Sequence, residues 1–293
     1  MKIAIAGPTG VLGRNLIPEL VKKGHQILAL TRSIQKAELL LPEDVEVVTC
    51  DLLDAGMDEK LPEILNGYDA VIHIATAIPD DFTAPGAWDT NTRLRTEGTR
   101  RLLNASLTAS VKKYLQQSIV MAYPGNGKNW ITEETPLDDS GERKTVCDPV
   151  IEMESMIREI PKDQLEWSIL RGGVFTGMDT FQDRLIDELR NGQYTIPCDG
   201  NYYVSYISVK DMAQAFVRAL EKPVPGQIFN ICDEPILQKY YIQQLSDSVG
   251  VSPKLSQDEK TCPPSHRCSN EKAIAMLDWR PRYGILAEAD HMV

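Results

Sequence analysis

Long apolar runs are missing from this chain. None approaches the roughly 18 residues that a membrane-spanning helix needs, so no membrane partner is expected. The opening run from Lys2 to Ala6 looks like a strand and carries no signal-peptide pattern. Positive charge is also short. The 31 lysines and arginines face 42 acids, for a net charge of −11. That balance argues against a nucleic-acid backbone as partner, which needs a basic face, but leaves a phosphorylated small molecule open. The six cysteines (Cys50, Cys147, Cys198, Cys232, Cys262 and Cys268) include no Cys-x-x-Cys pair. Cys262, His266 and Cys268 lie close together but lack a fourth ligand and metal-site spacing. The cysteines are therefore expected to be reduced thiols of a cytoplasmic protein, with no metal. A serine nucleophile elbow and a histidine-rich metal motif are absent too.

What is present is an alternation. Apolar runs at Ile3–Ala6, Gln26–Leu30, Val45–Thr49, Asp69–Ile74, Lys113–Val120 and Leu165–Leu170 read as strands. Helical patterns separate them, among them Val11–Lys23, Trp88–Ala109 and Asp148–Ile160. Strands that are apolar on both faces and joined by helices imply a parallel sheet covered on both sides. The expected fold class is therefore α/β: a doubly wound parallel Rossmann sheet with a smaller C-terminal substrate region. Residues 1–171 form the expected dinucleotide-binding domain, to which 206–232 return. Residues 172–205 and 233–293 form the expected substrate region.

Gly7-Pro8-Thr9-Gly10-Val11-Leu12-Gly13 follows the first strand and opens the first helix. Gly7 permits the tight turn. Gly10 keeps a side chain out of the path of a pyrophosphate. Gly13 lets the helix pack on the strand. The helix N-terminus then offers free N–H groups to the phosphates. After the second strand comes Thr31-Arg32-Ser33, with no acid before Glu38. An acid there would accept from the ribose 2′-hydroxyl of NAD; an arginine fork and a serine hydroxyl suit a 2′-phosphate. NADP(H) is the expected cofactor and NAD(H) the alternative. The expected cofactor set is Gly7, Thr9, Gly10, Val11, Leu12, Gly13, Arg32, Ser33, Asp51, Leu52, Ala75 and Thr76.

The ordered segments resemble those of the extended short-chain dehydrogenase/reductase superfamily, which includes nucleotide-sugar epimerases and dehydratases. The resemblance rests on the glycine turn, Cys50-Asp51-Leu52-Leu53-Asp54, Val71-Ile72-His73-Ile74-Ala75-Thr76, and Asn91 with Glu97-Gly98-Thr99. It continues through Ser118 to Tyr123-Pro124-Gly125, Leu170-Arg171-Gly172, Tyr206 to Ala213, and Leu277-Asp278-Trp279-Arg280-Pro281. It implies a small-molecule substrate and a homodimer. It also implies a Tyr-x-x-x-Lys pair on the helix before the sixth strand, yet Val146 and Val150 stand there, with Glu154 one turn on. Asp148 and Pro149 read as the start of that helix, beyond residue 146. The one literal Tyr-x-x-x-Lys, Tyr206 to Lys210, runs from a strand into a helix and is expected to be structural. His73 is expected to be a packed strand histidine. The acids Glu133, Glu134, Asp138, Asp139 and Glu142 read as a solvated loop.

The expected function is an atypical NADP(H)-dependent oxidoreductase or epimerase-like enzyme with a non-standard proton donor. Tyr123 ranks first and Ser118 second as catalytic candidates. A catalytically inactive NADP(H)-sensing or scaffold protein, and a non-redox enzyme using the same cleft, are the alternatives.

Overall fold

The computed structural model describes residues 1–256 and 262–286. Residues 257–261 and 287–293 of the expected C-terminal region lie outside that range. Strands β1 (Lys2–Ala6), β2 (Gln26–Thr31), β3 (Glu46–Thr49), β4 (Ala70–His73), β5 (Lys113–Ile119) and β6 (Glu166–Gly172) follow one another through helical crossovers. The crossover helices are α1 (Val11–Lys22), α2 (Ile34–Leu40), α3 (Met57–Ile64), α4 (Asp89–Arg93), α5 (Thr99–Thr108) and α6 (Lys144–Arg158). Short strands β7 (Val174–Thr176), β8 (Thr195–Ile196), β9 (Tyr203–Val204) and β10 (Tyr206–Ser208) come next, with α7 (Phe181–Arg190) among them. The chain continues through α8 (Val209–Glu221), β11 (Gln227–Ile231), β12 (Ile236–Leu237), α9 (Gln238–Ser248), β13 (Lys254–Leu255) and α10 (Glu271–Leu277).

The main sheet has seven strands in the order β11-β6-β5-β4-β1-β2-β3. The pairs β3–β2, β2–β1, β1–β4 and β4–β5 run parallel, Ile3 aligning with Ile27 on one side and Ala70 on the other. Strand order reverses between β1 and β4, which makes the carboxyl ends of those strands the switch point of a doubly wound sheet. The expected fold class is the observed one. Ile3, Ala4, Ile5, Val71 and Ile72 are fully buried, which explains why these runs are apolar on both faces.

Two compact units are present. One holds residues 1–118, 138–170 and 213–228; the other holds 119–137, 171–212 and 229–293. The core of the second includes Leu185, Ile186, Leu189, Tyr206, Tyr241, Ile242 and Leu245. Tyr206 stacks on Tyr241 at 4.0 Å between centroids and donates to Gln238 Oε1 at 2.7 Å. Lys210, on the next element, lies over the Tyr283 ring, so the literal Tyr-x-x-x-Lys splits between two environments.

Three features differ from the sequence expectations or add to them. Helix α6 begins at Lys144, not at Asp148, and carries Pro149 in its interior. The long helix after β4 is interrupted by a π-helical turn, Leu94–Gly98, between α4 and α5. Cys198 and Cys262 form a disulfide, with Cα atoms 5.6 Å apart, so two of the six cysteines are not reduced thiols. Parallel pairing of β13 with β8 puts these distant positions side by side. Cys50, Cys147, Cys232 and Cys268 are free and buried.

Candidate active site

The glycine turn lies between β1 and α1, at the carboxyl end of β1. Gly7 has φ +89°, and a Cβ there would fall 2.6 Å from the backbone of Ala75, just past β4. A Cβ at Gly13 would fall 2.2 Å from the Pro8 carbonyl oxygen. A Cβ at Gly10 would meet only the Gly7 carbonyl oxygen, at 3.5 Å. Two glycines therefore let backbone pack on backbone, while the third leaves open space. No side chain caps α1, so the first-turn amides from Val11 to Gly13 remain available donors. A backbone cradle with an uncapped helix end fits a dinucleotide pyrophosphate. The Gly10 amide donates to the Gly7 carbonyl at 3.3 Å, which closes the turn.

At the end of β2, Thr31 is buried and Arg32 is exposed. Ser33 caps α2, its hydroxyl accepting from the Lys36 amide at 3.2 Å. That bond uses the oxygen as acceptor, while the hydroxyl proton is donated to Gln35 Oε1 at 3.4 Å. Asp51, after β3, accepts from the Leu53 amide at 3.0 Å, an Asx turn that fixes the loop carrying buried Leu52. Ala75 is half-buried and Thr76 exposed beyond β4.

Behind the sheet face lies a buried polar network. Tyr114, Gln116 and Ser118 alternate along β5 and so share one face. His73 Nδ1 lies 3.1 Å from Gln116 Oε1, 3.2 Å from Thr99 Oγ1 and 3.3 Å from the Tyr114 hydroxyl. Since Gln116 Oε1 can only accept, Nδ1 carries the proton. Burial pushes the imidazole down to about 4; the Gln116 bond opposes this and the Arg95 charge adds to it. His73 Nε2 is buried and without a partner. This is the packed strand histidine the sequence suggested. Ser118, fully buried, donates to Glu154 Oε1 at 2.6 Å. Arg95, set in the π-helical turn, is 6% exposed, and burial pushes its guanidinium down to about 10 against the Glu154 charge. Val146 and Val150, at the positions where the resemblance implies the pair, both lie on α6, one turn apart.

The second unit holds Tyr123, also fully buried. Its hydroxyl donates to Asn230 Oδ1 at 2.9 Å and accepts from Arg171 Nη1 at 2.5 Å. The guanidinium carbon also lies 4.8 Å from the phenol ring centroid. Burial pushes the Tyr123 phenol up, while the charge and hydrogen bond of Arg171 pull the other way. The Asn230 amide donates to Glu133 at 2.7 Å, and burial raises that carboxyl. Glu133 therefore leaves the solvated acidic run to which its neighbours belong. Arg171 belonged to the Leu170-Arg171-Gly172 segment of the resemblance but was given no role at the site, and Asn230 had no sequence signal. Each sits in an apolar strand, 48 and 107 residues from the tyrosine it touches. No group of acids, histidines and cysteines among the described residues could hold a metal ion. No described helix is long and apolar enough to cross a membrane.

The model of the NAD dependent epimerase/dehydratase family matches residues 3–232. A 3-diazoavenalumate denitrifying reductase from a Streptomyces species is 28% identical, over 97% of this chain and 97% of its own. A photosystem II assembly factor, Ycf39 of Trieres chinensis, is 25% identical over 80% of this chain and 69% of its own. Among solved structures, a UDP-glucose 4-epimerase of Thermus thermophilus in complex with NAD superposes with TM-score 0.81 at 18% identity. That match covers 99% of this chain and 97% of the epimerase, and it speaks for the fold alone.

Proposed function

The chain belongs to the NAD dependent epimerase/dehydratase family, and within it we propose an NADP(H)-dependent reductase of a small metabolite, with Tyr123 as proton donor and Arg171 as its charged partner. Membership places the chain among NAD(P)-dependent oxidoreductase- and epimerase-like enzymes. The observation that carries the finer reading is the 2.5 Å bond from Arg171 to the Tyr123 hydroxyl. In the implied arrangement a lysine one turn from the tyrosine stabilises the phenolate. With Val150 in that lysine's place, a fixed cation at the phenol must come from elsewhere in the fold, and Arg171 supplies it. A bound nicotinamide supplies the hydride chemistry. For the transfer the Tyr123 hydroxyl must exchange its Asn230 acceptor for the substrate heteroatom, and Arg171 then holds the phenolate that remains. Ser118, buried near the end of β5, donates to Glu154 Oε1 and holds that side chain in place.

Arg32 supports NADP(H) over NAD(H). It is exposed at the end of β2, beside the half-buried Ser33, and no acid precedes Glu38. The Streptomyces relative, matched over 97% of its length, is a reductase, which favours the reductive direction. The test is the affinity for NADPH and NADH of the parent and of Arg32→Ala. The parent should prefer NADPH, and the variant should lose roughly tenfold for NADPH while NADH is unchanged. Equal affinities in the parent would overturn the 2′-phosphate reading. The assembly-factor relatives keep a second reading in play: a cofactor-sensing scaffold, which would bind NADPH as tightly and turn over no substrate.

A further inference from the structure

We infer that the Cys198–Cys262 disulfide is a redox-controlled clasp on the loop that carries Tyr123. The inference stands on the strap that begins at Cys262. The strap contacts residues 123–131 along its length, and it is also held to Tyr203 and Ser205: the Tyr203 amide donates to Ser265 Oγ at 3.0 Å, the His266 amide to the Tyr203 carbonyl at 2.8 Å, and Ser205 Oγ to the His266 carbonyl at 3.0 Å. Pro264 packs on Gly125, where a Cβ would fall 3.2 Å from its Cα. The Asn126 amide donates to the Ser265 carbonyl at 3.0 Å, and Ser265 Oγ donates to the Gly127 carbonyl at 2.6 Å. His266 Nε2 lies 2.9 Å from the Tyr123 carbonyl oxygen, which accepts, so Nε2 carries the proton. Arg267 Nη1 donates to the Lys128 carbonyl at 3.1 Å, and its guanidinium lies over Trp130 at 4.1 Å. The Ile131 amide donates to the Arg267 carbonyl at 2.8 Å, and Ile131 bridges to Cys268.

The far end of the strap is embedded. Cys268 is buried and its amide donates to Ser205 Oγ. At the near end, the covalent anchor is the disulfide to Cys198, just past β8. Cys198 and the following Asp199 both adopt left-handed backbone angles, φ 51° and 54°, an uncommon state for residues other than glycine. The surrounding structure must hold that bend, and the disulfide ties it directly to the strap.

Reduction is chemically open at this bond. Cys262 is exposed and Cys198 is half-buried. A thiolate of an external dithiol attacks the Cys262 sulfur, Cys198 leaves as thiolate and takes up a proton, and the second thiol of the reductant resolves the mixed disulfide. The dithiol is oxidised to its disulfide, and two protein thiols are formed. With the anchor gone, the strap can fray from its near end toward His266, loosening its hold on the Tyr123 carbonyl and on residues 125–128.

The test compares the full chain after dithiothreitol with the same chain after oxidised glutathione, and it does not depend on what Tyr123 does in catalysis. Denatured thiol titration should give the four free cysteines in the oxidised chain and all six in the reduced one. Amide exchange at residues 123–131 and 262–267 should rise on the order of tenfold on reduction. Exchange in β1 and α1, and NADPH affinity, should not move. Cys262→Ser should reproduce the reduced pattern without reductant, while Cys147→Ser should not. If a variant fails to fold, reduction of the parent makes the same comparison. Six titratable thiols in the oxidised chain, or unchanged exchange at 123–131 when the count rises from four to six, would overturn the inference.

Discussion

Acid should destabilise this protein through His73 before most carboxylates titrate. The imidazole is buried, with Nδ1 committed to Gln116 and Nε2 unpartnered, and it takes a proton only near pH 4 in the folded state. In the unfolded chain it does so near 6.5. A base whose folded pKa is depressed gives full stability above the unfolded value. It loses stability as pH falls, because the unfolded state then binds more protons. The loss starts near 6.5 and levels off below about 4. From pH 7 to pH 5 it amounts to about 2 kcal/mol. The assay is urea unfolding at a series of pH values for the parent and for His73→Gln, which keeps a polar side chain that cannot titrate. Other groups titrate alike in both proteins, so the difference between the two curves isolates His73. The parent should fall by about 2 kcal/mol more than the variant over that interval. Parallel curves, or an imidazole that titrates near 6.5 in the folded protein by NMR, would refute the reasoning.

The glycine turn separates folding from binding. Gly10→Ala, whose methyl meets open space, should keep the parent melting temperature and lose NADPH affinity; Gly13→Ala, driven into the Pro8 carbonyl, should lose both. Normal NADPH binding by Gly10→Ala would remove the pyrophosphate from that spot. Tyr123→Phe should lower the reduction rate on the order of a hundredfold with NADPH affinity unchanged. It should also cost about 1–3 kcal/mol of stability, because Arg171 and Asn230 lose a buried partner. A parent-like rate would take Tyr123 out of the chemistry. Asp211 is 1% exposed and its two carboxylate oxygens accept from the amides of Arg282 and Tyr283. Asp211→Asn turns an amino group toward one of those donors and should cost about 2 kcal/mol in urea unfolding; a loss under about 0.5 kcal/mol, the usual size for a surface change, would mean the tail is not tied there.

The sheet and the glycine turn were legible because their signals are local. A buried parallel strand has to be apolar along its length, and a pyrophosphate turn has to spare backbone at fixed spacing, so a few adjacent residues reveal each. Helix α6 was misread for an equally local reason. Asp148-Pro149 has the chemistry of a helix start, yet Pro149 lies one turn and more inside the helix. The missing N–H costs only the bond to the carbonyl four residues earlier, near the N-terminus, where few bonds have yet formed. Pro18 in α1 and Pro62 in α3 are likewise interior, so proline is a poor boundary marker in this chain.

The pairings of the candidate groups were hidden because they form at long range. Tyr123 had a sequence signal as a tyrosine in a motif, but its character comes from Arg171, contributed by another strand. Ser118 likewise takes its partner from α6, and Cys262 takes its own from across 64 residues. In each case the polar residue sits in an apolar or irregular stretch, where pattern reading assigns it to packing or to solvent. A buried polar atom must nevertheless find a partner or pay its desolvation. Val146 and Val150 thus carry more information than their plainness suggests. With valine rather than lysine at position 150 of α6, the proposed proton transfer needs its cation from elsewhere in the fold. The one buried guanidinium bonded to a phenol among the described hydrogen bonds is Arg171, on Tyr123.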